Sequence, residues 1–280
     1  MDTPRKEWSR YYHDQELQDL GVLHARFVHH RYPRHAHDYF VIAFVEKGAL
    51  SYWYQGAEHT VSAGQVFVVN PGEPHTGGPA IAEGYTYRVL YPRVEYLARV
   101  AKDIGTGRGA PFFKEAVLRD PQLAALLSRF HKRLAAEGST VRCESLLLQA
   151  LARLITEHSD PRVRARTIGK ERPAVRTACE YMQAHFDEDV SLSKLASLVS
   201  LSPYYFARAF ESETGLPPHA YLESVRIQKA REFLDHGEAV ASAALAAGYV
   251  DQSHLTHRFK RFLGITPGQY VRNGKILQDH

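Results

Sequence analysis

Residues 248–270, GYVDQSHLTHRFKRFLGITPGQY, combine basic, imidazole and amide side chains with regularly spaced apolar ones. The apolar residues have the i, i+4, i+7, i+8 spacing of a helix with one buried face, and they are Leu255, Phe259, Phe262 and Leu263. Asp251 is placed to cap the start of this helix and Gly264 to end it. The outward side chains are basic or form hydrogen bonds: Gln252, Ser253, His254, Thr256, His257, Lys260 and Arg261. Such a face suits phosphates and base edges, although a helix that only faces solvent can have the same composition.

The same pattern occurs 49 residues upstream, where residues 202–222 read SPYYFARAFESETGLPPHAYL. The identical pairs at this offset are Phe210 and Phe259, Gly215 and Gly264, Pro218 and Pro267, and Tyr221 and Tyr270. A short apolar segment, 192–200 or 240–249, precedes each copy, which predicts two helix-turn-helix units. The amphipathic segment 219–238 predicts a helix that holds the units about 25 Å apart. That distance would let two helices enter successive major grooves, which recur about every 34 Å.

Residues 173–275 resemble the DNA-binding domain of the AraC/XylS family of bacterial transcription regulators. The second copy matches the family pattern almost throughout, and the first matches it at SLSKLA, LSPYYFARAF and ETG. The first copy differs at Glu211, where the family usually has a lysine. One expected phosphate contact is therefore missing from the first unit.

The resemblance implies that the N-terminal half of each second helix reads bases. The residues that occupy these positions are Tyr204, Ala207, Arg208, Gln252, Ser253, His254 and His257. Arginine can pair with guanine, glutamine with adenine, and alanine or tyrosine can contact a thymine methyl. Three further residues are expected to contact phosphates: Arg258, Lys260 and Arg261. For Arg258 a salt bridge on the helix surface is the alternative.

The N-terminal half has a different pattern. Residues 24–91 are short runs rich in β-branched and aromatic residues, broken by glycine and proline, which predicts antiparallel strands in a barrel or sandwich. Residues 34–48, RHAHDYFVIAFVEKG, and 61–78, VSAGQVFVVNPGEPHTGG, resemble the two motifs of cupin barrels, the fold of the AraC-family sensor domain. We therefore expect an α+β fold in two domains. A cupin-like antiparallel β-barrel with helices at its C-terminal end precedes an all-α domain of two helix-turn-helix units joined by a linker helix.

In metal-binding cupins an H-x-H pair, a glutamate and a distant histidine bind one ion. The resemblance assigns these roles to His35, His37, Glu46 and His75. Residues two apart point to the same face of a strand, but the spacing to Glu46 is longer than usual. Many regulator cupins bind organic effectors in the same pocket without a metal. A divalent metal, an organic ligand and structural hydrogen bonds are thus three alternatives for the histidines.

Further candidates for effector contacts are aromatic or cationic. Strand alternation places Tyr52 and Tyr54 on one face and Trp53 on the other. An arginine inside a barrel strand needs an anionic partner, so Arg88 is expected to meet a carboxylate or an acidic effector unless it faces solvent. The effector candidates are His35, His37, Trp53, Tyr54, His75 and Arg88, with core packing as the alternative for the aromatic residues.

The chain between the two halves is expected to be helical over residues 111–158. Its last helix, 141–158, is strongly apolar and is expected to cover the barrel and to form a dimer seam, with fully intramolecular packing as the alternative. Residues 159–172 include five basic residues and are expected to be a flexible linker that attracts DNA. The predicted domains are a sensing barrel at 1–110, a helical region at 111–158, a basic linker at 159–172 and a DNA-binding domain at 173–280.

The composition of the 280 residues, 44% hydrophobic and 24% charged, allows a sizeable core in each half. The net charge of +4 does not by itself indicate nucleic acid. The sequence has neither a membrane-length apolar run nor a signal-peptide core, so we expect a cytoplasmic protein without a membrane partner. Cys143 and Cys179 have no pairing motif and are expected to be reduced and buried.

Together these features predict a dimeric, effector-responsive transcription regulator that is not an enzyme. Activation, the commoner mode in the family, is the expected mode of action, with repression as the alternative. Its partners would be double-stranded DNA with two adjacent major-groove half-sites, a small-molecule effector, a second copy of the chain and, for activation, RNA polymerase. One alternative is a cupin metalloenzyme of the dioxygenase or isomerase type fused to a DNA-binding domain. The other is a constitutive DNA binder with a vestigial sensor.

Overall fold

The computed structural model describes residues 6–14, 17–106, 109–137, 141–164 and 173–275. Within them the chain has the expected two-domain α+β fold, an antiparallel sheet domain followed by a helical domain. No helix in these segments is long and apolar enough to cross a membrane.

Alternating apolar residues form the strands of the barrel, which begins earlier than the expected residue 24. The strands are β1 Trp8–Asp14, β2 Leu20–Phe27, β3 Tyr32–His35, β4 Val41–Tyr54, β5 Ala57–Ser62, β6 Val66–Val69, β7 His75–Pro79, β8 Tyr85–Tyr91, β9 Pro111–Phe113, β10 Val117–Leu118 and β11 Ser159–Arg164. The main path of the larger sheet is β1-β2-β8-β4-β6-β10; β5 and β7 pair with β4, and β3 pairs with β7. All of these pairs are antiparallel. Consecutive strands pair in β1–β2 and β4–β5, whereas pairs such as β2–β8 and β6–β10 join strands that are far apart in the sequence.

The central strand β4 changes its inward-facing positions partway along. A bulge between Val45 and Lys47 inserts one residue into its pairing with β8, which moves the following side chains to the other face. The residues that face the barrel core are Val41, Ala43 and Val45 before the bulge, then Leu50, Tyr52 and Tyr54 after it. Trp53 consequently lies on the outside, and Glu46, which follows the inward-facing Val45, is on the outside as well.

Three helices cover the outer face of the sheet: α1 Val94–Asp103, α2 Pro121–Glu137 and α3 Val141–His158. Their apolar residues pack against outward-facing strand residues such as Ile42 and Phe44. The expected helical region 111–158 is wrong at its start, because residues 111–118 contain β9 and β10, which pair with β11 and β6. Backbone pairing at a sheet edge thus takes the place of the expected helix.

The expected linker, 159–172, is wrong over its first six residues. They form β11, which pairs antiparallel with β9 and therefore belongs to the sensor domain. Residues 165–172 lie outside the described residues.

The C-terminal helices are α4 Pro173–Ala184, α5 Leu192–Leu198, α6 Pro203–Thr214, α7 Pro218–Asp235, α8 Val240–Ala246, α9 Gln252–Leu263 and α10 Pro267–Lys275. The side chains of Ser202 and Asp251 cap α6 and α9 by accepting a hydrogen bond from the backbone N–H three residues on, at 3.3 and 2.7 Å. Gly215 and Gly264 end the same helices, each with a φ of 73°, a left-handed conformation that glycine adopts without strain. The repeat in the sequence is therefore a repeat of two helix-turn-helix units, α5–α6 and α8–α9, joined by α7.

The two units belong to different hydrophobic cores. Phe206 and Phe210 of the first unit lie in a core that is formed by the helical domain alone. Leu255 and Phe259 of the second unit lie in a core that continues into the interior of the barrel. The helical domain thus shares a core with the barrel through its second half, while the first unit meets the barrel where Gly215 lies against Pro74.

Candidate functional site

The polar face of α9 is exposed along its length. Gln252, Ser253 and His257 are exposed in its N-terminal part, and Lys260 and Arg261 are exposed near its end. Amide, hydroxyl, imidazole and cationic groups therefore share one surface, opposite the buried phenylalanines. These are the groups that bind base edges and phosphates in protein–DNA complexes.

His254 and Arg258 of the same helix are half-buried and already have partners. Arg258 Nε lies 3.8 Å from Glu223 Oε1 and donates a hydrogen bond to His254 Nε2 at 3.4 Å. The His254 ring also stands edge-on to Tyr249, with 5.2 Å between the ring centroids. The alternative of a salt bridge for Arg258 is therefore realised in this DNA-free chain, and a DNA contact would require both side chains to change partners.

The corresponding helix of the first unit, α6, exposes a different set of side chains. Arg208 is exposed and Ala207 is half-buried, while the side chain of Tyr204 lies outside the described residues. Tyr205 is 64% exposed, although the sequence comparison did not select it. Its place directly before the buried Phe206 is the signal that could have identified it.

A cavity of about 60 Å³ lies inside the barrel, on the side that the helical domain covers. Aliphatic residues, three histidines and six tyrosines line it, and Phe262 and Leu263 of α9 complete its wall. The tyrosines are Tyr32, Tyr39, Tyr52, Tyr85, Tyr87 and Tyr91. Strand alternation could have identified three of them, because Tyr85, Tyr87 and Tyr91 all face inward from β8.

The three histidines of the cavity are His35, His37 and His75, and one ring nitrogen of each lies within 4.8 Å of the others. Their Nδ1 atoms face the backbone carbonyls of Pro33, Tyr39 and Glu73 at 2.8, 2.9 and 3.0 Å. A carbonyl oxygen only accepts a hydrogen bond, so each Nδ1 carries the proton and each Nε2 keeps its lone pair.

Burial keeps these histidines uncharged. It lowers the pKa of His35 to about 4 and that of His75 to about 3, and it holds the pKa of His37 well below its usual value. Neutral imidazoles with a fixed tautomer can accept hydrogen bonds from a ligand or bind a transition metal ion. The three histidines of the expected metal set, His35, His37 and His75, are therefore brought together.

Glu46, the fourth member of that set, lies elsewhere. It is on the outer face of the sheet, where it accepts hydrogen bonds from Arg88 Nε at 2.8 Å and lies 2.9 Å from His24 Nε2. Burial raises the pKa of Glu46, but the bonds from His24 and Arg88 outweigh it and lower the pKa to about 2. The expectation that Glu46 joins the histidines is wrong, because Glu46 follows the inward-facing Val45 and therefore shares the outer face of β4 with Ile42 and Phe44. Arg88 likewise does not line the cavity, and its anionic partner is this carboxylate.

Two other effector candidates are also placed outside the cavity. Trp53 is on the outer side of β4, where the Arg34 guanidinium lies 4.2 Å from its ring centroid. Tyr54 is fully buried, and its hydroxyl accepts hydrogen bonds from Asn70 N and Nδ2 at 3.0 and 2.8 Å. Core packing, the alternative for the aromatic residues, is what the structure shows for Tyr54, whereas Trp53 is half-buried outside the core.

The expected dimer seam on α3 is largely covered by the barrel. Leu147, Leu151 and Leu154 are buried against the sheet. Leu148 is 46% exposed, and it is the only large apolar side chain of α3 exposed among the described residues. Any seam on this helix would therefore be built around Leu148.

Two segments of the chain match known protein families. Residues 18–151 match the AraC-like ligand binding domain, and residues 195–273 match a helix-turn-helix domain. Together they include the barrel cavity and both repeated units.

Two sequence relatives and one solved structure match most of the chain. The uncharacterized HTH-type transcriptional regulator YbfI of Bacillus subtilis is 32% identical over 80% of this chain and 82% of its own length. The HTH-type transcriptional activator RhaS of Escherichia fergusonii is 26% identical over 92% of this chain and 94% of its own. The crystal structure of ToxT from Vibrio cholerae O395 has a TM-score of 0.56 at 10% identity, over 95% of this chain and 97% of ToxT.

Proposed function

The chain belongs to the AraC family of transcription regulators, and we propose that α6 and α9 bind its operator while the barrel cavity binds the effector. A ligand-binding domain joined to a helix-turn-helix domain makes it an effector-controlled DNA-binding regulator. The observation that carries the DNA site is the repeated helix, capped in the same way at both ends and exposing polar side chains near its start.

We assign the two DNA faces to the outer sides of α6 and α9. The intervening α7 has 18 residues and so spans about 27 Å, which suits two helices in adjacent major grooves. The proposed base contacts are Tyr204, Tyr205, Ala207, Arg208, Gln252, Ser253, His254 and His257. The proposed phosphate contacts are Lys260 and Arg261, with Arg258 joining them if it leaves Glu223.

Selection of duplexes from a random pool tests this assignment. Gln252→Ala or His257→Ala should relax base preference in the second half-site only, with a loss of about 1–3 kcal/mol for the preferred base. His236→Ala, at an exposed histidine just after α7, is the control and should keep the wild-type preference. An unchanged base preference in both α9 variants would contradict the assignment.

We propose domain boundaries that differ from those expected at one place. The sensor domain includes the barrel, α1 to α3 and β11, and so ends at Arg164. The DNA-binding domain begins with α4 at Pro173, and the linker between them is 165–172. The pairing of β11 with β9 supports the later boundary.

The wall of the cavity favours an uncharged effector. Its lining residues within the described segments include no lysine or arginine and no carboxylate, and the three histidines are neutral. ToxT has been crystallised with an unsaturated fatty acid, but here a carboxylate in the cavity would lack a cationic partner. We therefore propose a ligand that donates hydrogen bonds to the Nε2 atoms of His35, His37 and His75. We assign these histidines no catalytic step.

A divalent metal ion is a second candidate effector, favoured by the convergence of three neutral histidines. The ion would be held by His35, His37 and His75 without Glu46. Native mass spectrometry of the full chain with Zn²⁺ should then show one ion per chain, and none after the double change His35→Ala and His75→Ala. Equal zinc content in the two proteins would exclude this candidate.

We further propose that the protein is cytoplasmic and forms a homodimer. We place Leu148 in the dimer seam, because this apolar side chain is exposed on a helix that the barrel otherwise covers. Activation of transcription would add RNA polymerase as a partner. Leu148→Glu should yield monomers by analytical ultracentrifugation, and dimers retained in this variant would place the seam elsewhere. Leu151 is unsuitable for this test, since it is fully buried in the sensor core.

A further inference from the structure

The second helix-turn-helix unit carries two apolar residues that the first unit lacks. At the 49-residue offset of the repeat, Phe262 corresponds to Glu213 and Leu263 to Thr214. Thr214 uses its hydroxyl to donate to the Phe210 carbonyl at 2.8 Å. The first unit thus completes the same helix and the same glycine cap with polar residues at these positions.

The core of each unit is built by other residues. Positions that are buried in both copies include Phe206 and Leu255, Phe210 and Phe259, and Leu216 and Ile265. The repeat therefore provides an internal comparison, which indicates that neither Phe262 nor Leu263 is needed to form a helix-turn-helix unit.

Both extra residues instead contact the barrel. Phe262 is 6% exposed, its ring centroid lies 5.5 Å from that of His35, and with Leu263 it lines the cavity. The next residue, Gly264, is also in close contact, because a Cβ there would lie 2.7 Å from Phe27 Cζ and from Tyr32 Oη. The end of α9 is therefore fitted to the barrel mouth.

Neighbouring helices of the second unit extend this contact. The ring of Tyr270 on α10 stacks on Tyr11 of β1 with centroids 4.6 Å apart. On α7, the Arg231 guanidinium lies 4.8 Å from the ring centroid of Tyr39. An aromatic stack and a cation–π contact thus lie beside Phe262 and Leu263 at the barrel mouth.

From these observations we infer that Phe262 and Leu263 form a wedge that covers the barrel cavity, so that a molecule reaches the buried His35 and His75 only when the second unit withdraws. This inference rests on the proposed function in treating the cavity as the effector site. The cavity of about 60 Å³ has room for only a few water molecules. An effector larger than that must displace the wedge, and by linkage a docked second unit must weaken effector binding.

The wedge can be tested without knowing the effector or the operator. Diethyl pyrocarbonate modifies neutral imidazole nitrogens, and peptide mass spectrometry of the full chain can follow each histidine separately. Phe262→Glu gives the second unit the residue type that the first has at this position. It should raise the modification rates of His35 and His75 about tenfold relative to the exposed His257, because the covering side chain is expelled.

Leu245→Glu is the matched control, since it places the same charge on an exposed apolar residue of the same unit. Its rates at His35 and His75 should equal those of the wild type. The double change Phe262→Ala and Leu263→Ala is the second test variant, because it opens the mouth without adding a charge.

Wild-type rates at His35 and His75 in both wedge variants would overturn the inference. Loss of helical circular dichroism in both variants would also overturn it, since the unit would then need these residues to fold. The readout involves no DNA, so a protein that failed to bind any operator would defeat the proposed function and leave the result on the wedge intact.

Discussion

The two helix-turn-helix units share one sequence pattern but have different surroundings. The first packs on α4 in a core of the helical domain alone, with Phe206 and Phe210 at its centre. The second is part of the core that fills the barrel, and its α9 ends in the wall of the cavity. The same local motif thus belongs to a purely helical core in the first unit and to the core of the sensor barrel in the second.

The outer faces of the units differ as well. Glu211 of α6 and Lys260 of α9 occupy equivalent positions of the repeat, and both are exposed. The second unit is therefore the more cationic of the two, and also the one in contact with the sensor. The unit with the stronger expected attraction to phosphate is the one that the barrel holds.

Replacement of the central phenylalanine of each unit by alanine should distinguish the two hydrophobic cores most clearly. Loss of a buried phenylalanine costs about 3–5 kcal/mol. Because Phe259 shares the core of the barrel, Phe259→Ala should shift the unfolding of the barrel to lower denaturant concentration. Trp8 and Trp53, the two tryptophans of the chain, are both in the barrel, so their fluorescence in guanidinium follows this transition.

Phe210→Ala is the matched variant in the first unit. It should lower the helical circular dichroism midpoint and leave the tryptophan transition where it is in the wild type. Equal shifts of the tryptophan transition in both variants would show that the two cores are not separate.

Acid should destabilise the barrel through its buried histidines. The pKa values of His35 and His75 are about 4 and about 3 in the folded chain, lowered by burial from 6.5. The unfolded chain takes up protons below pH 6.5, whereas the folded chain does so only near pH 4 or below. Stability is therefore fully present above pH 7 and falls by about 1.4 kcal/mol per pH unit for each such histidine between pH 6.5 and pH 4.

Urea unfolding of the barrel, followed by tryptophan fluorescence at pH 7.5, 6 and 5, measures this dependence. His75→Gln should make it shallower, while His219→Gln, at an exposed histidine of α7, should leave it unchanged. A pH dependence that is identical in all three proteins would mean that His75 is not buried as a neutral imidazole.

Exchange of the charge at the equivalent positions of α6 and α9 should have the smallest effect. Glu211→Lys gives the first unit the cation that the second already has, and the plot of log affinity against log salt should steepen by about 1. Lys260→Ala should make the same plot shallower by about 1. Slopes that stay at the wild-type value in both variants, measured on the selected operator by gel shift, would place these positions away from phosphate.

Local patterns were sufficient to predict most elements of the fold. The spacing of apolar residues and the capping residues Ser202, Gly215, Asp251 and Gly264 predicted α6 and α9, because these signals depend on neighbours a few residues away. Strand alternation predicted the barrel for the same reason. The separation of Tyr52 and Tyr54 from Trp53 was also correct.

The wrong predictions concern residues whose placement depends on how strands pair with one another. Glu46 lies on the outer face of β4 with Arg88 and His24 and not with the three histidines. The bulge then reverses the facing of every later residue of that strand, which places Trp53 outside. A bulge depends on how two strands pair, and the spacing of residues within one strand does not reveal it. The strand at 159–164 was missed for a similar reason, since its partner is β9, more than forty residues earlier.

The sequence by itself determined that the chain folds its C-terminal third as two copies of one capped helical motif, because caps and apolar stripes act within a few turns of helix. It also determined which side chains α9 exposes near its start. Only the tertiary structure decided that the first copy has a helical core while the second joins the barrel. The reason is that Phe262 and Leu263 have the same apolar chemistry whatever covers them, and their partners in the barrel lie about 200 residues away along the chain.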